Sequence, residues 1–216
     1  MVVDTYAFVH RATRLQRPPL MPELQLYLAD EVVKTWRLLQ DAQGGGDIEP
    51  PFWAFAWAGG QAIARYLLDH PDVVGERSVL DFAAGSGICA IAASRVGAAS
   101  VLAADIDSMC ADVVSLNAKV NGVDVAFTGK NLLDEEPPKV DLIVAGDILY
   151  ERDLAATVIA WLERAYRAGT EVLIGDPRRD YFPAESLTQM AEYDVPTTRD
   201  LEGVTIKRTG VFAFAP

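Results

Sequence analysis

From Ser78 onward the chain repeats one pattern: a short β-branched or apolar run, then about a dozen residues of helical period. Strands are predicted at 79–82, 100–104, 125–128, 140–145 and 171–175, and helices at 88–96, 108–121 and 154–168. Runs this apolar are buried on both faces, and their alternation with helices dictates a parallel sheet with helices packed on both sides. Two extended stretches, 191–196 and 204–215, are separated by a charged turn and predict an antiparallel hairpin at the sheet edge. In such open α/β sheets ligands sit beyond the carboxyl ends of the strands, so the residues just after each strand carry the functional information.

The segment before the sheet is of another kind. Leu24, Leu28, Val32, Trp36 and Leu39 recur at three- and four-residue steps and predict one helix over 22–40, closed by the Gly44-Gly45-Gly46 loop. Residues 1–75 read as a helical and aromatic extension and 76–216 as the seven-stranded core, the whole of 1–216 forming a single domain. At 216 residues such a chain buries a large core without disulfide or metal staples.

Cys89 and Cys110 form no C-x-x-C pair, and with only His10 and His70 beside them no metal-ligand spacing arises, so both are expected as buried thiols and no metal site is expected. The sequence has no signal-peptide run and no 18-residue apolar stretch, which predicts a cytoplasmic protein. Arg11, Arg14 and Arg17 are expected on a solvated, partly frayed arm. The net charge of −12 repels polyanions and argues against a nucleic-acid binder or a partner of anionic membranes. A monomer is expected.

The first strand mouth reads Asp81-Phe82-Ala83-Ala84-Gly85-Ser86-Gly87. Gly85 and Gly87 permit a tight turn and close backbone approach to a ligand, and the following helix presents unpaired N–H groups. Gly85-x-Gly87-x-x-Ala90 also satisfies the dinucleotide fingerprint, with Asp105 twenty positions on as a ribose-binding acid, so a nicotinamide-dependent oxidoreductase stands as one alternative. Asp81 weighs against it, because a carboxylate there repels a pyrophosphate and suits a cation. S-adenosylmethionine has an ammonium, a sulfonium and a ribose diol for Asp105. Asp105 and Asp107 can instead cap the helix that follows.

The pattern acid-x-x-x-Gly-x-Gly with an acid closing the next strand resembles the seven-stranded class I methyltransferases. The resemblance implies a doubly wound, Rossmann-like α/β sheet, with S-adenosylmethionine bound and released as S-adenosylhomocysteine. It implies cofactor contacts from Asp81, Gly85, Gly87, Asp105 and Ile106, and from Asn131 and Leu132 toward adenine. Ala83 stands where the family usually has glycine and slightly crowds the loop. After the fourth core strand comes Gly146-Asp147-Ile148-Leu149-Tyr150, and Asp-x-x-Tyr here resembles the protein lysine methyltransferases of that fold. Asp147 is the expected amine-orienting acceptor and Tyr150 the wall of the channel, although a turn cap and a sheet-lip filler are the plain alternatives.

Residues 51–62 and 65–74, together with Gly146-Asp147-x-x-Tyr150-x-x-Asp153-Leu154-Ala155 and 172–177, resemble the electron transfer flavoprotein beta subunit lysine methyltransferase family. The similarity runs from about 22 to 177 and fades in the tail, with Leu149 replacing the family's Phe. It implies lysine methylation of that flavoprotein subunit; a ribosomal protein, a small amine or a silent binding module are alternatives. Trp57 is expected to pack over the cofactor, and the helix start at Gly60 to hold its carboxylate. Arg178 and Arg179 read equally as contacts to an acidic protein substrate or as solvated loop charges.

Overall fold

Helical and extended signals compete at the start of the chain, and the computed structural model, which describes residues 4–215, shows which wins where. Helix α1 (Thr5–Ala12) is capped by the Asp4 carboxylate, which accepts from the Ala7 N–H at 3.1 Å, and it buries Phe8 and Val9. The expected frayed arm is therefore a packed helix, because two apolar residues on its inner face find a core. Arg14 pairs with Asp30 and Arg17 donates to the Pro22 carbonyl at 2.6 Å.

The predicted helix over 22–40 is shorter than expected. A strand β2 (Leu26–Leu28) pairs antiparallel with β1 (Arg14–Gln16), and α2 begins only at Val32, running Val32–Ala42. Leu26 and Leu28 are buried one strand period apart and Leu24 is buried in the turn before them, so the four-residue step from Leu24 to Leu28 is not a helical turn. Farther on, Thr35 and Leu39 bury α2 as the helical spacing requires.

The core follows the expected alternation. After α3 (Ala58–Asp69) come β3 (Ser78–Phe82), α4 (Ile88–Arg95), β4 (Ser100–Ala104), α5 (Cys110–Asn121), β5 (Ala126–Thr128), β6 (Leu142–Gly146), α6 (Arg152–Arg167) and β7 (Glu171–Asp176). β8 (Leu187–Pro196) and β9 (Ile206–Phe214) close the sheet, with a one-turn helix α7 (Arg199–Glu202) where a charged turn was expected. Thr198 caps α7 by accepting from Leu201 N–H.

The spatial order is β5-β4-β3-β6-β7-β9-β8, with β3 to β7 parallel and β9 antiparallel to both neighbours. The order reverses at β3, and ligand crevices open at such a reversal. Leu80, Phe82, Ile143, Ala145, Val172 and Ile174 pack against α6, including Trp161. Val79, Val144 and Leu173 face α3, α4 and α5. Helices thus cover both faces unevenly, three against one. The extension joins the core through a third cluster in which Phe8, Val9, Leu39 and Trp53 meet Met109 and Val113.

Register sets up the site. Phe82 pairs with both Ala104 and Ala145, and Ala145 pairs with Ile174, so Ala83 and Asp105 leave the sheet beside the last β6 pair, Gly146 with Gly175.

Candidate active site

The loop after β3 is shaped by its backbone. Gly85 and Gly87 have φ of +50° and +77°, the left-handed region, and Ala83 is forced into it as well at +56°. The substitution of Ala83 for glycine therefore strains the loop as well as crowding it. Asp105 from the end of β4 fastens this loop: one carboxylate oxygen accepts from the Gly85 N–H at 2.8 Å and the other from the Asp107 N–H at 2.9 Å. Asp107 in turn accepts from Met109 N–H at 2.9 Å in the turn ahead of α5, whose N-cap, Met109, has no side-chain cap, so neither Asp105 nor Asp107 fills the capping role considered for them. Each oxygen of Asp105 retains acceptor capacity beyond these bonds.

Beneath the loop lies Asp81, only 2% exposed, with one oxygen accepting from Ala90 N–H in the first turn of α4 at 2.8 Å. Burial pushes its pKa up to about 7, against the lowering effect of the Ala90 N–H, and nearby Asp105 adds to the rise. A buried carboxylate without a counter-charge beside it is costly. It lines a cavity walled by Trp57, Gly60, Ala83, Gly85 and Gly146, with Asp147 at its edge. This combination of an uncompensated carboxylate and a glycine-lined approach fits the ammonium and sulfonium of S-adenosylmethionine, and it gives a pyrophosphate no cationic partner.

The start of α3 departs from expectation. Its Gly60 N–H does hold a carboxylate, but that of Asp147, at 2.8 Å, instead of a ligand's. Glycines bring this about. A Cβ on Gly146 would lie 2.7 Å from Gly60 N, and side chains on Gly59 or Gly175 would run into each other's carbonyl oxygens. The helix start can therefore rest on the ends of β6 and β7, where Asp147 reaches it. Asp147 itself takes a left-handed φ of +60°, a region in which Asp is among the more tolerant residues, and its N–H donates to Gly175 O at 3.0 Å.

Asp147 faces a second group that the sequence left undecided. The two arginines diverge: Arg178, also left-handed at +62°, turns outward to Gln189 and the rings of Phe182 and Phe212, while Arg179 turns in. The Arg179 guanidinium lies 3.0 Å from Asp147, 3.6 Å from buried Asp176 and 3.1 Å from Glu202 of α7. Burial raises the pKa of Asp147 to about 6, with Arg179 and the N–H groups of Gly60 and Gly59 pulling it back. Oδ1 of Asp147 and Oδ2 of Asp176 are enclosed yet meet no aligned hydrogen-bond donor.

The remaining expected residues sit outside these walls. Tyr150 is 57% exposed, its ring 6.2 Å from that of Phe52, which in turn lies 5.9 Å from Trp57. The Trp57 Nε1–H donates to Phe52 O at 2.9 Å, fixing the indole. Ile106 is 75% exposed at the mouth of β4, Leu132 is buried, and the Asn131 side chain is spent capping a turn through Leu133 N–H at 3.2 Å. Sequence reasoning passed over Phe52, Asp176, Glu202 and Asn117. The last is fully buried, accepts from Tyr27 N–H and donates to Ser86 O, linking the extension to the cofactor loop. Both cysteines are buried, and no cluster suited to a metal occurs among the described residues.

The sheet order, the glycine loop and the acid at the end of β4 define a class I S-adenosylmethionine-dependent methyltransferase. Residues 63–171 match the sequence model of the ribosomal protein L11 methyltransferase (PrmA) family. Among solved structures, a ribosomal protein L11 methylase from Lactobacillus delbrueckii subsp. bulgaricus superposes with a TM-score of 0.55 at 24% identity, covering 75% of this chain and 81% of that one. Magnesium protoporphyrin IX methyltransferase from Synechocystis PCC 6803, with bound SAM, gives 0.53 at 16%, over 72% and 78%. The electron transfer flavoprotein beta subunit lysine methyltransferase of Rattus norvegicus is 43% identical over 205 residues, 91% of this chain and 78% of its own length. The chain belongs to the electron transfer flavoprotein beta subunit lysine methyltransferase family.

Proposed function

We propose that this protein transfers methyl groups from S-adenosylmethionine to lysine side chains of the electron transfer flavoprotein beta subunit. The observation that supports the amine chemistry is the Asp147 carboxylate, which lines the cavity with Trp57, Gly60, Asp81 and Gly146 and is held by the Gly60 N–H at 2.8 Å and the Arg179 guanidinium at 3.0 Å. The choice of protein rests on what the rat relative is named for. S-adenosylmethionine supplies an electrophilic methyl carbon on a sulfonium; the lysine nitrogen forms the new bond as the carbon–sulfur pair departs with sulfur.

A free lysine has a pKa near 10.4, so presenting it neutral near pH 7.4 costs about 4 kcal/mol. Burial in the channel lowers that cost, whereas the charge of Asp147 raises it. With its own pKa about 6, Asp147 is mostly ionised at neutral pH, and accepting a proton outright from a lysine of unperturbed pKa is uphill by about 6 kcal/mol. Asp147 accordingly accepts a hydrogen bond and aims the nitrogen, and the proton leaves to water. Tyr150 and Phe52 form the aromatic lip that accepts the growing methylammonium. Asp81 would face the cofactor's positive end, Gly85 and Gly87 would admit it closely, and Asp105, Ile106, Asn131 and Leu132 would border its nucleoside.

The reading takes 1–216 as one catalytic domain that works as a monomer in the cytoplasm, away from nucleic acid and anionic membranes. The net charge of −12 supports the latter, and no described helix is long and apolar enough to cross a membrane. Incubating the enzyme with methyl-labelled cofactor and recombinant flavoprotein beta subunit, ribosomal protein L11 or small amines tests the substrate. Label on lysines of the flavoprotein subunit is expected; label on L11 or on small amines alone overturns the choice.

A further inference from the structure

The tail of the chain supplies Glu202, and Glu202 meets the acceptor corner through one guanidinium. We infer that Arg179 is the positioning residue of the acceptor site: it fixes Asp147 and makes α7, through Glu202, part of the methyl-transfer machinery. This rests on the reading of Asp147 as the amine acceptor.

The argument is geometric first. Arg179 is held from behind by its own N–H, which donates to Asp176 Oδ1 at 2.7 Å, and at its tip by both oxygens of Glu202 at 3.1 and 3.4 Å. Its third carboxylate contact, to Oδ1 of Asp147, is an ion pair without hydrogen-bond alignment. The guanidinium therefore counters the charge of Asp147 from inside the protein and fixes the Oδ1 end of the carboxylate, while Gly60 N–H fixes the other. Glu202 is restrained in turn by Lys207 of β9 at 3.7 Å. Three carboxylates against Arg179 and Lys207 leave one surplus negative charge, which an arriving lysine ammonium balances.

The groups around Asp147 are Arg179 beyond β7, Glu202 of α7, the Gly59 and Gly60 N–H groups of α3, and Cys89 of α4. Asp176 shares the Arg179 guanidinium at 3.6 Å, and of the charged groups Arg179 and Glu202 act on Asp147 most directly. Arg179 favours ionised Asp147 and Glu202 opposes it, so the two changes must move its titration in opposite directions. A contact that merely braces the fold moves the carboxyl titration but leaves the acid limb of the activity profile in place.

The experiment follows the Asp147 carboxyl by carbon-13 NMR in the free enzyme, and the pH profile of methyl transfer to the recombinant flavoprotein beta subunit. Arg179→Gln should raise the Asp147 midpoint by about one to three units and shift the acid limb of the profile with it. Glu202→Gln, whose amide oxygen still accepts from Arg179, should lower the midpoint, and Arg179→Lys should restore most of it. An unmoved midpoint in Arg179→Gln overturns the inference. If that variant does not fold, a Glu202→Gln midpoint that rises or stays put overturns it instead. Asp147→Asn separates the two readings: wild-type transfer by that variant removes Asp147 as acceptor, while the opposed titration shifts are read in the free enzyme regardless of the substrate.

Discussion

Ala83 occupies a left-handed backbone position at φ +56° that costs an L-residue about 1–2 kcal/mol and glycine almost nothing. Replacing it by glycine relieves that strain but loosens the unfolded chain by about 0.4–1 kcal/mol. Ala83→Gly should therefore gain up to about 1.5 kcal/mol in denaturant unfolding with the cofactor site intact; a loss of more than about 1 kcal/mol shows that the Ala83 methyl is needed for packing. Single residues of this kind were partly legible in the sequence. Asp147 and Tyr150 are marked by their spacing after a strand, and Ala83 by its place in a glycine pattern. Arg179 was not, because Arg178 and Arg179 are identical in composition and neighbourhood. What separates them is the left-handed φ of Arg178 and the bond from Arg179 N–H to Asp176, and neither has a local sequence signature.

At the scale of elements, the strands and helices of the core fall close to where periodicity places them, since runs of four to six apolar residues between glycine-rich turns have few other solutions. The misplaced helix before Val32 arose where buried leucines of a turn and a short strand fall at a helical step. The seating of α3 on β6 and β7 was illegible for a different reason: Gly59, Gly60, Gly146 and Gly175 lie far apart in the chain, and a glycine pair at a helix start reads as a ligand cradle until its tertiary partner is seen. That contact gives a prediction for elements instead of side chains. Gly175→Ala puts a methyl group into the Gly59 carbonyl, and overpacking of this sort costs about 1–3 kcal/mol. As α3 is pushed off the sheet, Gly60 N–H parts from Asp147. Thermal unfolding should register the loss, and methyl transfer should fall by more than the unfolded fraction explains. A variant with lowered stability but full specific activity breaks the link between this seating and the placement of Asp147.

For the whole molecule, the consequence of burying acids under a cofactor site is a pH dependence opposite to that of ordinary salt-bridged carboxylates. Asp81 has its native pKa raised to about 7, well above the usual value near 3.9 for an unfolded chain. Between those limits the native state binds more protons than the unfolded one, so stability falls as pH rises. The stabilisation is full below about pH 4 and gone above about pH 7, and three units correspond to a penalty on the order of 4 kcal/mol. Asp147, raised to about 6, acts in the same direction. A positive ligand next to Asp81 favours its ionised form, so binding must release a proton wherever Asp81 is still protonated. Calorimetric affinity for S-adenosylmethionine should thus tighten by about tenfold per unit between pH 5 and 7 and level off above it, with proton release seen as a dependence of binding heat on buffer ionisation. In Asp81→Asn the affinity should be weaker at pH 8 and nearly flat with pH, while the ligand-free protein melts higher at pH 8 than the wild type. An affinity that does not change with pH in the wild type would mean that Asp81 only holds the first turn of α4 and plays no electrostatic part in receiving the cofactor.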